Sequence, residues 1–499
     1  MSVSFLHSIF KQLQQGDDSI ACNIEDKYYT YKQLAEFTGS VQGKIQRTGS
    51  MNIGIVAQNN PQTYATILAA WLTGKAYVPF PSHYPVTRIE EILLSAEIGT
   101  VFYAEEDEEI DNLKKQFSEI EFINSSELPA SDCFCSFPTE EKIAYLLFTS
   151  GTTGKPKGVP ITFGNLQAFM DGFDALGYEV HSNDRFLQMF DLTFDLSVVC
   201  FTRPLMCGGS FYTLPAGMIK TLALYHVLDE YQITVSLMVP SSIGLLLPYL
   251  EDIHLPELRI SQFCGEALKK DLLIKWMTCV PNARIDNVYG PTEATIYCTA
   301  LTCTKQNIPH HSGIVGIGKP MKETELLLLD ENGILVTEPK TEGELCLSGP
   351  QVTPGYLNNQ EQNDDKFLFV NQTRYYKTGD IAFRNKSGHY FYSGRKDDQV
   401  KIQGYRIELG ELESAAAKIL PDNQSVAVGY QYNNNWYLAL FIQKTAVDVA
   451  FLQESLKPIL PQYMKPHQIL NLETIPLNPN GKTDRKRLKE IAEFQHSQL

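Results

Sequence analysis

The amino-acid sequence predicts an α/β protein with a large N-terminal domain of layered sheets and helices, a small β subdomain and a small α+β C-terminal domain. Three observations support this. β-branched runs alternate with amphipathic helical stretches in the first part of the chain, strand-like runs dominate from about residue 312 to 393, and a charge-dense stretch follows Gly394. Strands alternating with helices indicate parallel βαβ units. We therefore expect a large domain over residues 1–394, with the β subdomain at 312–393, and a small domain over 395–499.

The alternation is clearest near the N-terminus. The first 15 residues place apolar side chains at helical spacing, which favours a docking helix over a signal peptide. The runs NIGIVA, AYVPF and TVFYA are typical of strands, and the helical patterns between them cover residues 61–72 and 86–98. Later strand-like runs are KIAYLLF, TVSLMVP, RISQFCG and ARIDNVYG. These elements are expected to build the layered large domain.

The later part of the chain has a different pattern. In ETELLLLDENGILV a DENG turn separates two apolar runs, and GELCLSG and GHYFYSG are strand-like, which predicts a small antiparallel β region. After the charge-dense stretch, the small domain should have a helix at ELGELESAAAKIL, strands SVAVGYQ and WYLALFIQ around residues 433–435, and a helix near 447–460. A domain of about 100 residues is long enough to fold around its own core.

Composition excludes several classes of protein. The chain has 499 residues, 43% of them hydrophobic, and 42 Lys and Arg against 58 Asp and Glu give a net charge of −16. This charge disfavours nucleic acid and anionic membranes as partners. No apolar run approaches the roughly 18 residues of a membrane span. The ten cysteines form no CxxC pair, which is typical of free thiols in a reducing compartment, so we expect a cytoplasmic enzyme.

A Gly- and Thr-rich loop directly follows the strand YLLF. Its backbone N–H groups, hydroxyls and lysines suit the phosphates of a nucleoside triphosphate. The loop lacks the GxxxxGK[ST] pattern of a Walker A motif, and a solvated turn is the alternative. The candidate phosphate-binding residues are Thr149, Ser150, Gly151, Thr152, Thr153, Gly154, Lys155 and Lys157.

Two further turns carry candidate nucleotide ligands. In NVYGPTEAT a tyrosine ring can stack on a purine, Thr292 can contact phosphate, and the Glu293 carboxylate can hold Mg²⁺. The alternative for this segment is an ordinary capped helix start. In KTGD the Asp380 carboxylate can accept hydrogen bonds from both ribose hydroxyls, although an Asp after Gly is ordinarily a turn residue.

Together these loops resemble, in order and separation, the signature segments of the adenylate-forming superfamily, specifically amino-acid adenylation domains and their stand-alone relatives. The resemblance extends from residues 28–31 (YYTY) and 76–79 (AYVP) to residues 478–485 (NPNGKTDR). It implies an AMP-forming ligase that uses ATP and Mg²⁺. It also implies that the C-terminal domain is mobile, with a hinge at Asp397 that absorbs a backbone rotation.

The resemblance assigns roles to individual residues. It implies that Lys482 is the catalytic lysine, because its ammonium would stabilise charge on the phosphoryl oxygens as pyrophosphate leaves; without the resemblance, a solvated lysine in a flexible tail would be favoured. Thr292 and Glu293 join Lys482 as catalytic candidates, with Glu293 the metal ligand. The implied ATP-binding residues outside the phosphate loop are Asn287, Val288, Tyr289, Gly290, Pro291, Thr292, Asp380, Tyr392, Ser393, Gly394, Arg395 and Lys482.

The implied substrate is a small amino acid. Asp195 matches the family's aspartate that pairs with the α-amino group, and a carboxylate facing an apolar pocket needs such a cation; the alternative is a helix cap. The other implied substrate-binding residues are Leu196, Val199, Leu237, Cys264, Val288, Ile296 and Lys482. Cys264 looks most like the cysteine of D-alanine:carrier-protein ligases, where the sulfur helps to choose the hand of the substrate. A core cysteine that fills a gap is equally consistent with the sequence.

D-alanine is accordingly the expected substrate, and proline, L-alanine or a β-amino acid are the alternatives. The chain stops soon after Lys489 without a phosphopantetheine attachment site, so the resemblance implies that a separate carrier protein accepts the aminoacyl group. The rival functions are a stand-alone adenylation enzyme of peptide natural-product biosynthesis, an acyl-CoA ligase, and a non-catalytic nucleotide-binding protein.

Overall fold

The computed structural model describes residues 3–151, 156–433, 435–443, 447–477 and 483–498. The chain folds into two compact units. The first unit comprises Met1–Ser82, Leu93–Leu147 and Gly158–Lys396, and the second comprises His83–Ile92, Phe148–Lys157 and Asp397–Leu499. Among the described residues, none of the helices combines the length and the apolar character that crossing a membrane would require.

The strands are numbered in chain order. They are β1 (Ile20–Ile24), β2 (Lys27–Thr30), β3 (Asn52–Val56), β4 (Ala76–Phe80), β5 (Thr100–Tyr103), β6 (Glu121–Asn124), β7 (Ile143–Thr149), β8 (Lys157–Thr162), β9 (Arg185–Gln188), β10 (Ser210–Thr213), β11 (Val235–Met238), β12 (Ile260–Phe263), β13 (Arg284–Tyr289), β14 (Thr299–Cys303), β15 (His310–His311), β16 (Ile314–Val315), β17 (Lys319–Pro320), β18 (Glu325–Leu329), β19 (Glu342–Ser348), β20 (Phe367–Val370), β21 (Thr373–Arg384), β22 (Tyr390–Arg395), β23 (Gln399–Ile402), β24 (Tyr405–Glu408), β25 (Ser425–Tyr432), β26 (Asn435–Gln443) and β27 (Gln468–Leu472).

The α-helices are interspersed with these strands. They are α1 (Ser4–Gln15), α2 (Tyr31–Ile45), α3 (Pro61–Leu72), α4 (Val86–Ser95), α5 (Glu108–Gln116), α6 (Phe163–Ala175), α7 (Asp195–Cys207), α8 (Lys220–Glu230), α9 (Pro240–Leu246), α10 (Lys270–Cys279), α11 (Gln360–Lys366), α12 (Leu409–Ile419), α13 (Val449–Leu456) and α14 (Arg485–His496).

Two large sheets form the body of the first unit. One has nine strands in the order β17-β14-β13-β12-β11-β9-β10-β1-β2, and the other has six in the order β6-β5-β3-β4-β7-β8. The pairs β9–β10, β11–β12 and β12–β13 are parallel, as are β3–β4 and β4–β7. The predicted α/β fold class with layered sheets and helices is therefore confirmed.

Local sequence explains where the helices begin and end. Helix α3 starts with an Asn60 N-cap and Pro61 at its first turn, and eleven of its residues are buried. Helix α6 starts with a capping box between Thr162 and Asn165. Helix α4 stops at Ser95, three residues before the predicted end, and Glu97 has a left-handed φ of 51° that cannot continue a helix. Helix α13 is likewise shorter than predicted.

The β subdomain is a mostly separate antiparallel sheet. Strands β18, β19, β21 and β20 follow one another in the sheet, and β22 pairs with β21. The predicted DENG turn is present, because the Gly333 N–H donates to the Asp330 carbonyl at 3.0 Å and an antiparallel bridge joins Leu329 to Leu335. The full-length partner of β18 is β19. The second apolar run stays at the surface, where Ile334 is 64% exposed.

The second unit has its own core. Strands β25 and β26 form the predicted hairpin, and β27 adds to it in parallel. Apolar side chains of α12, α13 and this sheet pack together. A buried ion pair lies in the same unit, where Arg88 Nη1 donates to Glu411 Oε1 at 2.5 Å and each side chain is 5% exposed.

Candidate active site

Three residues predicted to bind the nucleotide meet within the first unit. Tyr289 ends β13, and Asp380 of β21 pairs with Arg395 of β22 across the antiparallel ladder. The Tyr289 hydroxyl donates to Asp380 Oδ2 at 2.5 Å, and Arg395 Nη1 donates to Asp380 Oδ1 at 2.7 Å. Arg395 Nη2 also donates to the Thr378 carbonyl at 3.1 Å. The Asp380 carboxylate is thus held in one orientation by two donors from different elements.

This arrangement leaves acceptor sites on the Asp380 carboxylate, the residue predicted to bind a ribose. Asp380 is 3% exposed, yet a carboxylate offers about four lone-pair sites, so it can accept further bonds beside those from Tyr289 and Arg395. Burial and then the negative charge of Asp380 raise the pKa of Tyr289 well above its usual value of 10. The tyrosine therefore stays protonated and continues to donate at any physiological pH.

The loop after β13 is tightly constrained. Residues 292–294 form one turn of 3-10 helix, after which Thr295 and Ile296 adopt left-handed φ values of 55° and 72°. Gly290 lies so close to Tyr297 that a Cβ at position 290 would approach the Tyr297 Cα to 2.4 Å. No side chain fits there without a shift of the backbone. The loop conformation therefore depends on glycine at that position.

Glu293 is wholly buried at 0% exposure. The Tyr356 hydroxyl donates to its Oε1 at 2.6 Å, and the Thr353 N–H donates to its backbone carbonyl at 2.8 Å. Among the described residues, no group of three or more His, Cys, Asp and Glu side chains could hold a metal by itself. A single carboxylate fits Mg²⁺ only in the mode in which nucleotide phosphates and waters complete the coordination.

The remaining predicted nucleotide residues have varied surroundings. The Asn287 side-chain amide donates to the Gly316 carbonyl at 2.8 Å, which fixes β13 against the following segment. Val288 is 2% exposed. In β22, Tyr392 is half-buried, Ser393 is exposed, and Gly394 has a φ of 155°. Pro291 and Thr292 are partly buried in the loop between Gly290 and Glu293.

The predicted substrate residues also come together in the first unit. Asp195 is the first residue of α7 and is 8% exposed, and the N-cap is Phe194, so Asp195 is not the helix cap that the sequence left open. The apolar residues share one buried cluster, in which each is at most 5% exposed. They are Leu196, Val199, Leu237, Cys264, Val288 and Ile296.

Side chains of this cluster pack closely around Gly265. A Cβ at Gly265 would meet Leu196 Cδ1 at 3.7 Å and Val239 Cγ1 at 3.3 Å. Gln262 and Tyr297 are polar side chains in this region, and they satisfy each other because Gln262 Nε2 donates to the Tyr297 hydroxyl at 3.1 Å. Strand β13 contributes to both the predicted amino-acid residues and the predicted nucleotide residues. Val288 and Tyr289 are neighbours on this strand, so their side chains point to opposite faces of the sheet.

The described part of the phosphate loop belongs to the second unit. Thr149 ends β7, Gly151 follows Ser150, and Lys157 begins β8. The Ser150 hydroxyl donates to the Arg406 carbonyl at 2.8 Å and accepts from the Glu408 N–H at 3.2 Å.

Other predicted residues of the second unit are placed only in part. The Asp397 carboxylate accepts from the Gln399 N–H at 3.3 Å. The predicted Thr152, Thr153, Gly154, Lys155 and Lys482 lie outside the described residues.

Sequence reasoning missed residues that support the site. Tyr356 holds Glu293, and Gln351 Nε2 donates to the Tyr297 carbonyl at 3.0 Å. The Thr378 hydroxyl accepts from the Asp380 N–H at 3.0 Å. Tyr356 and Gln351 lie between the recognisable motifs, so only their positions in space reveal them. Thr378 stands inside the KTGD motif, where its proximity to Asp380 was a usable signal.

Comparison with known proteins defines the class of this site. Residues 9–357 match the family model described as AMP-binding enzyme. The chain belongs to this family, and the predicted resemblance to adenylate-forming enzymes is confirmed. It is an AMP-forming ligase.

Several named relatives are similar over the whole chain. The D-alanine–D-alanyl carrier protein ligase of Bacillus licheniformis is 30% identical and aligns with 98% of this chain and 99% of its own length. The ligase of the same name from Lacticaseibacillus casei is 30% identical, with 96% of each chain covered. The solved structure of the Vibrio cholerae adenylation domain AlmE in complex with glycyl-adenosine-5'-phosphate superposes with a TM-score of 0.86 at 26% identity, covering 99% of this chain and 98% of that one.

Proposed function

We propose that this enzyme activates a small amino acid with ATP and transfers the aminoacyl group to the phosphopantetheine thiol of a separate carrier protein. The observation that supports the proposal most is Asp195, a carboxylate at the first turn of α7 beside an otherwise apolar, buried cluster. A buried carboxylate facing such a cluster favours a cationic ligand group. An α-ammonium group supplies that charge, whereas fatty and aryl acids do not.

The proposed reaction needs little covalent chemistry from the protein. A carboxylate oxygen of the amino acid attacks the α-phosphorus of ATP, and pyrophosphate leaves. Asp380 accepts hydrogen bonds from the ribose, Tyr289 stacks on the adenine, and Asp195 holds the ammonium group of the substrate. Glu293 is the residue that would hold Mg²⁺, which neutralises phosphate charge when it is bound. Lys482 would stabilise the charge that develops on the phosphoryl oxygens.

The substrate is proposed to be D-alanine. The apolar character of the buried residues around Leu196 and Cys264 supports an uncharged side chain. The relatives named as D-alanine ligases and the structure that holds a glycyl adenylate also favour a small amino acid. Proline, L-alanine or a β-amino acid in peptide natural-product biosynthesis is the second candidate, because tyrocidine synthase 3 of Brevibacillus parabrevis is 32% identical over 97% of this chain and 8% of its own length.

The remaining expectations belong to the same proposal. The domain boundary at residues 394 and 395 and the hinge at Asp397 would let the segment 399–410 reach the active site in the second half-reaction. The enzyme would act in the cytoplasm, where ATP is available and its cysteines stay reduced; all ten are free thiols in the structure.

The proposed function is tested by ATP–pyrophosphate exchange with a panel of single amino acids. D-alanine, L-alanine, glycine, proline and β-alanine are compared side by side with a fatty acid. Exchange with D-alanine alone is expected, and the Lys482→Ala variant should lose about 10²- to 10³-fold in rate. Lys486→Ala is the matched control, since this lysine lies four residues away and is expected to retain exchange.

Each outcome has a defined meaning. Exchange with another small amino acid would keep the reaction and replace the substrate. Exchange with the fatty acid alone would overturn the role of Asp195. No exchange with any acid would contradict the proposed function. The transfer step is then measured by loading of radiolabelled substrate onto a phosphopantetheinylated carrier protein.

A further inference from the structure

Two tyrosine hydroxyls near the amino-acid region are buried without a hydrogen bond. Tyr77 and Tyr145 are each 0% exposed, and neither hydroxyl finds a hydrogen-bond partner among the residues that the structure describes. A buried donor left unpaired costs free energy, typically about 1–3 kcal/mol. Two such groups side by side therefore point to a polar species that pairs with them.

The two side chains belong to one face of the six-stranded sheet. Tyr77 of β4 is the register partner of Tyr145 of β7, and their rings lie 5.7 Å apart with an interplanar angle of 40°. The Trp71 ring of α3 lies 5.8 Å from the Tyr77 ring and 5.9 Å from the ring of Phe201. Since Phe201 belongs to α7, this face of the sheet looks toward the helix that begins with Asp195.

Asp195 is the charged group that affects the pKa of both hydroxyls. After burial, the Asp195 carboxylate is the next contribution that raises the pKa of Tyr77 and the pKa of Tyr145. Both phenols therefore stay protonated and remain donors. Neither donates directly to a protein atom described in the structure, so a connection to the carboxylate needs an intermediary.

We propose that the hydroxyls of Tyr77 and Tyr145 hold an ordered water that donates to Asp195. The inference rests on the proposed function, because it gives these two tyrosines the task of positioning the carboxylate for the α-ammonium group. A buried water is stable when it makes two to four hydrogen bonds, which two hydroxyls and one carboxylate can provide. The tyrosines are positioning residues, since they act through Asp195 and touch neither reacting atom.

The water-held carboxylate gains a fixed direction. The first turn of α7 contributes a positive helix end, which favours the ionised form but does not restrict rotation of the side chain. A donor from the sheet side leaves the opposite lone pairs to the substrate. Recognition of the ammonium group should therefore weaken when either hydroxyl is removed, although the apolar contacts of the substrate stay the same.

The experiment compares Tyr77→Phe, Tyr145→Phe and the double variant with a control, Tyr64→Phe. Tyr64 is a similarly buried tyrosine whose hydroxyl already accepts from Gln188 Nε2 at 3.2 Å. Pyrophosphate exchange gives KM for the activated amino acid and for ATP. We expect KM for the amino acid to rise about tenfold in each test variant, because the water that donates to the charged carboxylate is no longer held, with ATP KM unchanged. Tyr64→Phe should change neither.

Two further readouts separate positioning from a structural role. The matching 2-hydroxy acid lacks the ammonium group, so its inhibition constant against the amino acid should be the same in all variants. The Tm of thermal unfolding should not be lowered by Tyr77→Phe, because the variant loses no hydrogen bond to another protein group. A crystal structure of the unaltered enzyme should show a water between the two hydroxyls and Asp195.

Two outcomes overturn the inference when the unaltered enzyme exchanges with an amino acid. In the first, the amino-acid KM of Tyr77→Phe and Tyr145→Phe stays within twofold of the unaltered enzyme. In the second, that KM and the inhibition constant of the hydroxy acid rise together. A variant that fails to fold leaves the crystallographic water as the deciding measurement, and its absence overturns the inference. No exchange by the unaltered enzyme with any amino acid would instead refute the proposed function and remove the basis of this inference with it.

Discussion

The candidate nucleotide region and the candidate amino-acid region differ in how their polar groups are paired. The Asp380 carboxylate accepts hydrogen bonds from Arg395, which also supplies its countercharge, and from the neutral hydroxyl of Tyr289. Around Asp195 the apolar cluster is closely packed, and the nearby hydroxyls of Tyr77 and Tyr145 lack a bond within the described chain. The comparison teaches that hydrogen bonds within the protein already organise the candidate nucleotide residues, whereas two hydroxyls near the candidate amino-acid residues still have polar partners to gain.

Asp195→Ala should produce the largest effect. Leaving a substrate ammonium group buried without its counterion costs about 3–5 kcal/mol, so kcat/KM for the amino acid should fall by about 10²- to 10³-fold. ATP KM should stay within twofold, since the nucleotide residues are untouched. Pyrophosphate exchange at varied amino acid and ATP measures both. Equal losses for both substrates would erase the distinction between the regions.

Asp380→Asn should weaken the nucleotide region and also the fold. The guanidinium of Arg395, whose side chain is 9% exposed, would keep its bond to the Thr378 carbonyl but lose its countercharge. Breaking a buried pair in this way is expected to cost up to about 3–5 kcal/mol, seen as a higher ATP KM and a lower free energy of unfolding. Kinetics and urea denaturation measure the two effects. The matched control is Asp365→Asn, whose carboxylate is exposed.

Tyr289→Phe should have a smaller effect on the same region. The ring that we propose stacks on adenine remains, while the bond from its hydroxyl to Asp380 is lost. A hydrogen bond to a charged group contributes about 1.5–3 kcal/mol, which sets an expected increase in ATP KM of about 10- to 100-fold. Amino-acid KM is expected to stay constant. An unchanged ATP KM would mean that Arg395 alone orients Asp380.

The pH dependence of ATP KM should differ from the pH dependence of the free energy of unfolding. Burial raises the pKa of Cys303 and that of Cys346 from 9.0 to about 12, so the thiols ionise earlier in the unfolded chain than in the folded one. Their contribution to stability is complete below the unfolded value of 9.0 and is lost as the pH rises toward 12. Because the pKa of Tyr289 lies above 10.0, ATP KM should stay flat while urea denaturation shows stability falling. An ATP KM that rises with the same midpoint as the loss of stability would contradict this separation.

The sequence predicted most of the architecture because the strongest local signals agree with the fold. Helix α3 is bounded by Asn60 and Pro61 at one end and by Gly74 after the other, and the structure follows those signals. The DENG turn also forms where it was predicted. The local sequence did not reveal that β19 gives β18 a full-length partner, whereas Ile334 and its neighbours end up exposed.

The residues of the candidate site were predictable where they stand in motifs. Contacts between residues that are far apart in the chain were not predictable. Asp380 and Arg395 are 15 residues apart on adjacent strands, and both were identified. Tyr356 contacts Glu293 across 63 residues, and Tyr77 lies beside Tyr145 through strand order alone. Nothing in the local sequence of these tyrosines distinguishes them from core aromatics, because their significance comes from what their hydroxyls meet.

The close approach of Gly290 to Tyr297 limits the amino-acid substitutions that position 290 tolerates. In a library of all single substitutions selected for activity, position 290 should lose every replacement, including alanine, since even a methyl group would meet the Tyr297 Cα. Gly43 in α2 has nothing within 4 Å of an added Cβ, and alanine there should be enriched through its helix propensity, worth up to about 1 kcal/mol. The two glycines would mark opposite ends of the range of mutational robustness in one chain.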